Sequence, residues 1–206
     1  MASLNTWSLT TLADVKETLG IESGNTSKDN LVIRKINQAT DMIENYCGYD
    51  TDHHIKQATY TEEEYDGTGT NQLVLRAKPV TAVSSLQARS SAENISNWDD
   101  ISTQDYFISE HAGLIEGLGG FLPYPALYRI SYTAGYNPIP SDLAEGCVSL
   151  AAYLVENGTT GNTVKSKNEG QRSIEYFQPS QTDSLISQLG LDDILSRYIL
   201  PSLAGR

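Results

Sequence analysis

The hydrophobic period of this chain changes twice, and that constrains its fold more than any single motif. Up to Gly48 the apolar residues recur at three- and four-residue steps, first as Leu12, Val15 and Leu19, then as Val32, Ile36, Ala39, Ile43 and Tyr46. This is the spacing of amphipathic helices. From about Gln57 a period of two takes over, in Ala58–Glu62, Glu64–Asp66, Gln72–Arg76, Val80–Gln87, Tyr106–Ser109, Leu114–Glu116 and Leu127–Thr133. Tyr136-Asn137-Pro138-Ile139-Pro140 closes that stretch, because proline restricts its own φ and the residue before it. Helical spacing then resumes with Leu143, Cys147, Leu150, Ala151 and Leu154. Two helices cannot cover their own stripes, so the third is expected to pack across them. The expected fold class is α+β. Residues 1–56 and 138–160 form a helical core discontinuous in sequence, and residues 57–137 an inserted small antiparallel β unit. Residues 161–206 form a hairpin and a C-terminal helical arm.

Local signals place the ends. Thr10 or Thr11 can cap the first helix, Asp14 suits its positive end, and Gly20 stops it. The second helix starts after Ser27 and ends at Gly48; Ser141, with Asp142 and Glu145 behind it, is expected to cap the third. The turn Asp66-Gly67-Thr68-Gly69 makes Gln72–Arg76 the expected partner of the strand before it. Ala88–Thr103, polar around a lone Trp98, reads as a loop or excursion. Val164–Lys167 and Ser173–Phe177 suit a hairpin around Asn168-Glu169-Gly170. A last helical stretch, Thr182–Leu200, is interrupted by Gly190 and closed by Pro201. It is unusually apolar for a chain end, so it either docks on its own body or is kept for a partner.

Charge narrows the function. The chain carries 26 acidic and 14 basic residues, net −12. Residues 1–145 hold 20 and 9 of these, residues 146–206 hold 6 and 5. Such a body is not built to grip a nucleic-acid backbone, which requires Lys and Arg to neutralise phosphates. No stretch of about 18 apolar residues occurs, so no membrane span is expected. The start, MASLNTWSLTTLADVK, lacks a basic region followed by an apolar run, so no signal peptide is expected. Cys47 and Cys147 fit reduced thiols of a cytosolic compartment, buried as small hydrophobes.

Catalytic constellations are missing from the sequence. There is no Gly-x-Ser-x-Gly elbow, and Gly117-Leu118-Gly119-Gly120 lacks the Lys-Ser/Thr of a phosphate loop. His53 and His54, with Glu62, Glu63 and Glu64 downstream, lack metal-ligand spacing and read as a solvated polar corner. His111 falls in a tight turn. No catalytic, cofactor-binding or metal site is expected, and no cofactor. Tyrosine stands out instead, with twelve against three phenylalanines and two tryptophans. Its apolar ring and polar tip suit interfaces as well as cores. Tyr60, Tyr65, Tyr124 and Tyr128 are the candidates for a subunit interface.

Four stretches resemble the head–tail connector (adaptor, or head-completion) proteins of tailed bacteriophages. They are Leu9–Gly20 (LTTLADVKETLG), Asn30–Gly48 with its IENYCG ending, Tyr128–Leu143 (YRISYTAGYNPIPSDL) and Val164–Tyr176 (VKSKNEGQRSIEY). They lie in the family's order; the large middle segment and the Lys167-Asn168-Glu169 variant depart from it. The resemblance implies an adaptor-type helical bundle and a non-enzymatic virion neck protein, made in the host cytoplasm. It would form a ring, commonly a dodecamer, docked on the portal protein, and would extend the DNA channel and carry the stopper or tail. DNA would pass without specific binding, since an acidic wall releases no counterions. Leu191, Ile194, Leu195, Tyr198 and Ile199 are the expected portal anchors, in the mode of an apolar helix laid in a groove. A tail-completion or stopper protein is the nearest alternative. A small ligand-binding or carbohydrate-active domain using Tyr side chains and Trp98 of the β unit is the other.

Overall fold

In the computed structural model Thr11 caps α1 (Leu12–Thr18) through a reciprocal pair: Asp14 N–H donates to Thr11 Oγ1 and Thr11 N–H to Asp14 Oδ2, both at 3.3 Å. The helix ends in a Schellman turn, Gly20 N–H donating to Glu17 O and Ile21 N–H to Lys16 O, with Gly20 at φ 65°. The structure describes residues 2–89, 98–121, 123–157, 167–169, 172–174 and 182–200. They fall into two units. One takes the chain up to Gly48 together with Ile139–Ile199; the other is Tyr49–Pro138.

The first unit is helical. α2 (Asp29–Tyr46) buries Val32, Ile36, Ala39 and Ile43 completely. α3 (Ser141–Asn157) meets it with Leu143, Cys147, Leu150 and Ala151, and with Val155 where Leu154 was expected, Leu154 being half-buried. Ser141 is not the cap of α3 but its first turn. The Pro140 carbonyl accepts from Ala144 N–H at 2.9 Å, so the helix starts one residue earlier than a serine cap would place it. Lys16 is buried, yet its ammonium donates to Ser23 O, Asn25 O and Asp29 Oδ1, the last at 2.9 Å, tying α1 to the start of α2. The expected terminal helix is two helices, α4 (Thr182–Gln188) and α5 (Asp192–Leu195). Gly190, at φ 67°, ends α4 in a second Schellman turn, with Leu191 N–H donating to Ile186 O. Two short strands, β8 (Lys167–Glu169) and β9 (Arg172–Ile174), pair antiparallel. Asn168 and Glu169 therefore lie within the ladder.

The second unit holds two antiparallel sheets. β1 (Ala58–Thr68), β7 (Pro123–Ala134), β3 (Val80–Arg89) and β4 (Asp99–Asp100) lie side by side in that order. β2 (Gln72–Val74), β6 (Leu114–Gly117) and β5 (Tyr106–Ser109) form the other. The expected pairing of β1 with the segment from Gln72 does not occur: β1 pairs with β7, and β2 with β6. β7 is twelve residues long and from Ala126 onward buries every second side chain, Ala126, Tyr128, Ile130, Tyr132 and Ala134. It offers far more ladder and packing than the three residues of β2, so the non-local pairing wins. At the foot of β7, Gly135 (φ 103°) lets the chain pass the Lys56–Gln57 backbone. A Cβ there would sit 2.7 Å from Gln57 N. Gln57 N–H donates to Tyr136 O and Tyr136 N–H to Ile55 O, closing the unit.

Candidate interaction surfaces and a buried polar centre

The expected portal anchors divide by burial. Leu191, Leu195 and Tyr198 are buried, at the i, i+4, i+7 spacing of one helical face. Tyr198 OH donates to Asp142 Oδ1 at 2.7 Å, Tyr46 OH to Asp192 Oδ1 at 2.9 Å, and the Cys47 thiol points at Leu195 O at 3.8 Å. These three side chains are therefore core of their own unit, not free anchors, because α3 and α2 present the matching apolar surface. Ile194 is half-buried and Ile199 is 41% exposed. The Cys147 thiol is buried against Thr40, and that burial pushes its pKa up to about 12, which leaves it an inert core group.

The tyrosines expected at a subunit interface are likewise interior. Tyr60, Tyr65 and Tyr128 are all buried; Tyr128 meets Phe121 edge-on at 4.9 Å, and Tyr60 packs on Tyr132 at 5.1 Å. Their rings supply core area, which corrects the reading of them as outward contacts. Tyr124 belongs to β7, and its side chain lies outside the described residues.

Those rings surround a charged centre. Glu62 adopts φ 54°, and the ladder slips between Tyr60 and Glu63. The resulting bulge turns Glu63 inward. Its Oε2 accepts from Tyr65 OH at 2.7 Å and Tyr132 OH at 3.0 Å, and its Oε1 meets His53 Nε2 at 2.5 Å. On the other side of the ring, Asp50 Oδ1 meets His53 Nδ1 at 2.6 Å and also accepts from the backbone N–H of Asp52 and His53. The imidazole stacks on Tyr60 at 4.9 Å, whose hydroxyl accepts from His54 N–H. His53 is only 4% exposed, so the expected solvated corner is instead a buried imidazole held between the half-buried Glu63 and the exposed Asp50.

A ring with a carboxylate at each nitrogen donates from both and is held as the cation. Burial opposes charge on His53, but the hydrogen bonds it donates to Glu63 and Asp50, with their negative charge, outweigh it and raise its pKa above the ordinary 6.5. Burial likewise opposes ionisation of Glu63 and Asp50, and their bonds, to His53 above all, outweigh it and lower both. Burial raises the Tyr65 and Tyr132 hydroxyls, which stay protonated donors. The arrangement has no nucleophile and no open coordination position. What it does chemically is pin the Tyr49–Lys56 segment to β1 and β7. Among the described residues no group of three or more His, Cys, Asp and Glu side chains is arranged to hold a metal ion.

Surface features escaped the sequence reading. Phe107 and Leu118 are 62% and 64% exposed, on β5 and just past β6. Nothing in the alternation distinguishes them from residues that face a core.

The chain matches the family model described as head completion protein over residues 8–178. No curated protein matches it in sequence. Its fold is similar to that of a chain from the neck of an empty gene transfer agent (GTA) particle computed with C6 symmetry. That likeness has a TM-score of 0.58 at 16% identity and covers 100% of this chain and 96% of the other. A chain from the neck of a native GTA particle computed with C12 symmetry gives 0.55 at 16% identity, covering 99% and 96%. A chain from the virion of the native particle gives 0.53 at 17%, again covering 99% and 96%.

Proposed function

Because the chain belongs to the head completion protein family, whose members are structural rather than enzymatic, we propose that it is a ring-forming adaptor of a virion neck. It docks on the portal protein, extends the DNA channel, and provides the platform on which the stopper or tail attaches. The observation that carries this reading is the end-to-end likeness to chains of a GTA neck computed with C6 and C12 symmetry. Coverage of nearly the whole of both chains means that the helices and the strand unit are shared together. The net charge of −12 suits a conduit, because a polyanion gains nothing by adhering to an acidic wall.

The portal contact is assigned to the C-terminal helices, with Ile194 and Ile199 as its outward residues; Leu191, Leu195 and Tyr198 hold those helices to their own unit. The test is the native mass of the protein alone and mixed with the portal ring of the same particle. A discrete complex with about one copy per portal subunit is expected, since closed rings repeat one contact around an axis. A chain that stays monomeric and leaves the portal ring unchanged in mass would overturn the adaptor reading.

A further inference from the structure

The outer face of the three-stranded sheet sets exposed apolar side chains beside acidic ones. Phe107 lies directly across from Glu116, and Glu116 from Gln72, so their side chains share one face. The opposite face carries the buried Leu73, Ile115 and Tyr106. Leu118 continues the outer row, because its N–H still donates to Asp105 O at 2.8 Å. Asp105 is exposed beside Leu118 and Glu110 is exposed in the turn at the other end of the strand pair, and β2, β5, β6 and that turn contain no Lys or Arg.

The first two turns of α2 are the complement. Lys28 and Arg34 are exposed, and Lys35 and Leu31 are half-buried, along one side of the helix. Arg34 donates to Asn30 O and Lys35 to Gln38 Oε1, both neutral acceptors. Among the described residues no carboxylate pairs with Lys28, Arg34 or Lys35. Lys16, Arg129 and Arg197, by contrast, pair with Asp29, Glu64 and Asp142. Positive charge without a carboxylate partner is thus gathered at the start of α2, in a chain that is strongly negative as a whole.

We propose that the outer sheet face around Phe107 and Leu118 of one copy receives the basic side of α2 from the next copy, a head-to-tail contact that builds the ring. The occupant is a second copy through a different patch. Two sheet faces set against each other would oppose Asp105, Glu110 and Glu116 to their own counterparts, whereas α2 brings three cations and Leu31. Contacts between unlike patches propagate, and they close into rings when the rotation allows. This rests on the ring reading above and names the surfaces that make it.

Two variants of the full chain test it by sedimentation velocity and native mass: F107D/L118D on the sheet and R34E/K35E on α2. The wild-type chain is expected to form oligomers that weaken about tenfold or more on going from low to high salt, since exposed charge pairs are screened. Each variant alone should be monomeric. Their equimolar mixture should form a dimer and stop there, because one intact sheet face meets one intact α2 and the remaining two patches are broken. F107S/L118S serves should the aspartates disturb folding, as judged by circular dichroism. Variants that oligomerise like the wild type, a mixture that stays monomeric, or a wild-type chain with no self-association would each overturn the proposal. A portal ring that still gains a full complement of both variants would sink these surfaces and leave the adaptor reading standing.

Discussion

Glu62 and Glu63 are adjacent, identical in chemistry, and opposite in fate. The bulge leaves Glu62 outside, near Arg129, and puts Glu63 against His53, Tyr65 and Tyr132. The triad makes the stability of the strand unit depend on pH in both directions. His53 has a raised pKa in the folded chain, so its contribution is complete below 6.5 and is lost as pH rises through the folded value. Glu63 and Asp50 have lowered values, so their contributions are complete above 4.5 and 3.8 and are lost as pH falls through the folded values. Maximal stability is therefore expected between about pH 5 and 6.5. Replacing Glu63 by Gln should cost about 2 kcal/mol, the scale of a hydrogen bond to a charged group. It should also move the alkaline loss to lower pH, since one of the two carboxylates holding the proton on His53 is gone. Urea midpoints measured across pH check both; an unchanged profile would mean the triad carries no charge.

At the scale of elements, α5 and the turn after it show how one short segment serves inward and outward surfaces. Leu195 is fully buried, whereas Ile199 is 41% exposed. Leu195→Ala should cost about 2–5 kcal/mol of stability, the range for buried leucines, and Ile199→Ala within about 0.5 kcal/mol. If this C-terminal segment faces the portal, Ile199→Ala should weaken portal binding without moving the thermal midpoint; equal binding by both chains would remove Ile199 from that contact. The helix ends were legible because caps are local: Thr11 with Asp14, Gly20, Gly48 and Gly190 each act within a few residues. The partner of β1 was not. A tight turn after Asp66 points to the next strand, but the choice lay with β7, more than fifty residues on, where Tyr60 meets Tyr132 and Tyr65 meets Tyr128.

Over the whole molecule, charge and fold speak to the same role. A chain at −12 should show no retention on duplex DNA at physiological salt, weaker than the roughly 10⁻⁴ M of non-specific binders. Electrophoretic mobility of a DNA fragment with excess protein measures this, and a shift lost only in high salt would contradict the smooth-conduit reading. The first unit is built from segments on both sides of the second, so its core depends on α2 and α3 meeting across the insertion. Thr40 Oγ1 and Cys147 Sγ, 3.7 Å apart and both buried, mark that junction.

The sequence alone determined where the first three helices lie, how α1, α2 and α4 stop, and that the middle is β. Those properties follow from period and local capping, which need no distant partner. One further signal was present and unread: Tyr60 and Tyr65, both interior, stand an odd number of residues apart, which a strand tolerates only with a bulge. Tertiary structure alone decided which strands pair, that Leu191, Leu195 and Tyr198 turn inward, and that His53 is buried between two carboxylates. The reason is physical: burial is set by the surface that arrives from elsewhere in the chain, and one slipped residue reverses every side chain beyond it.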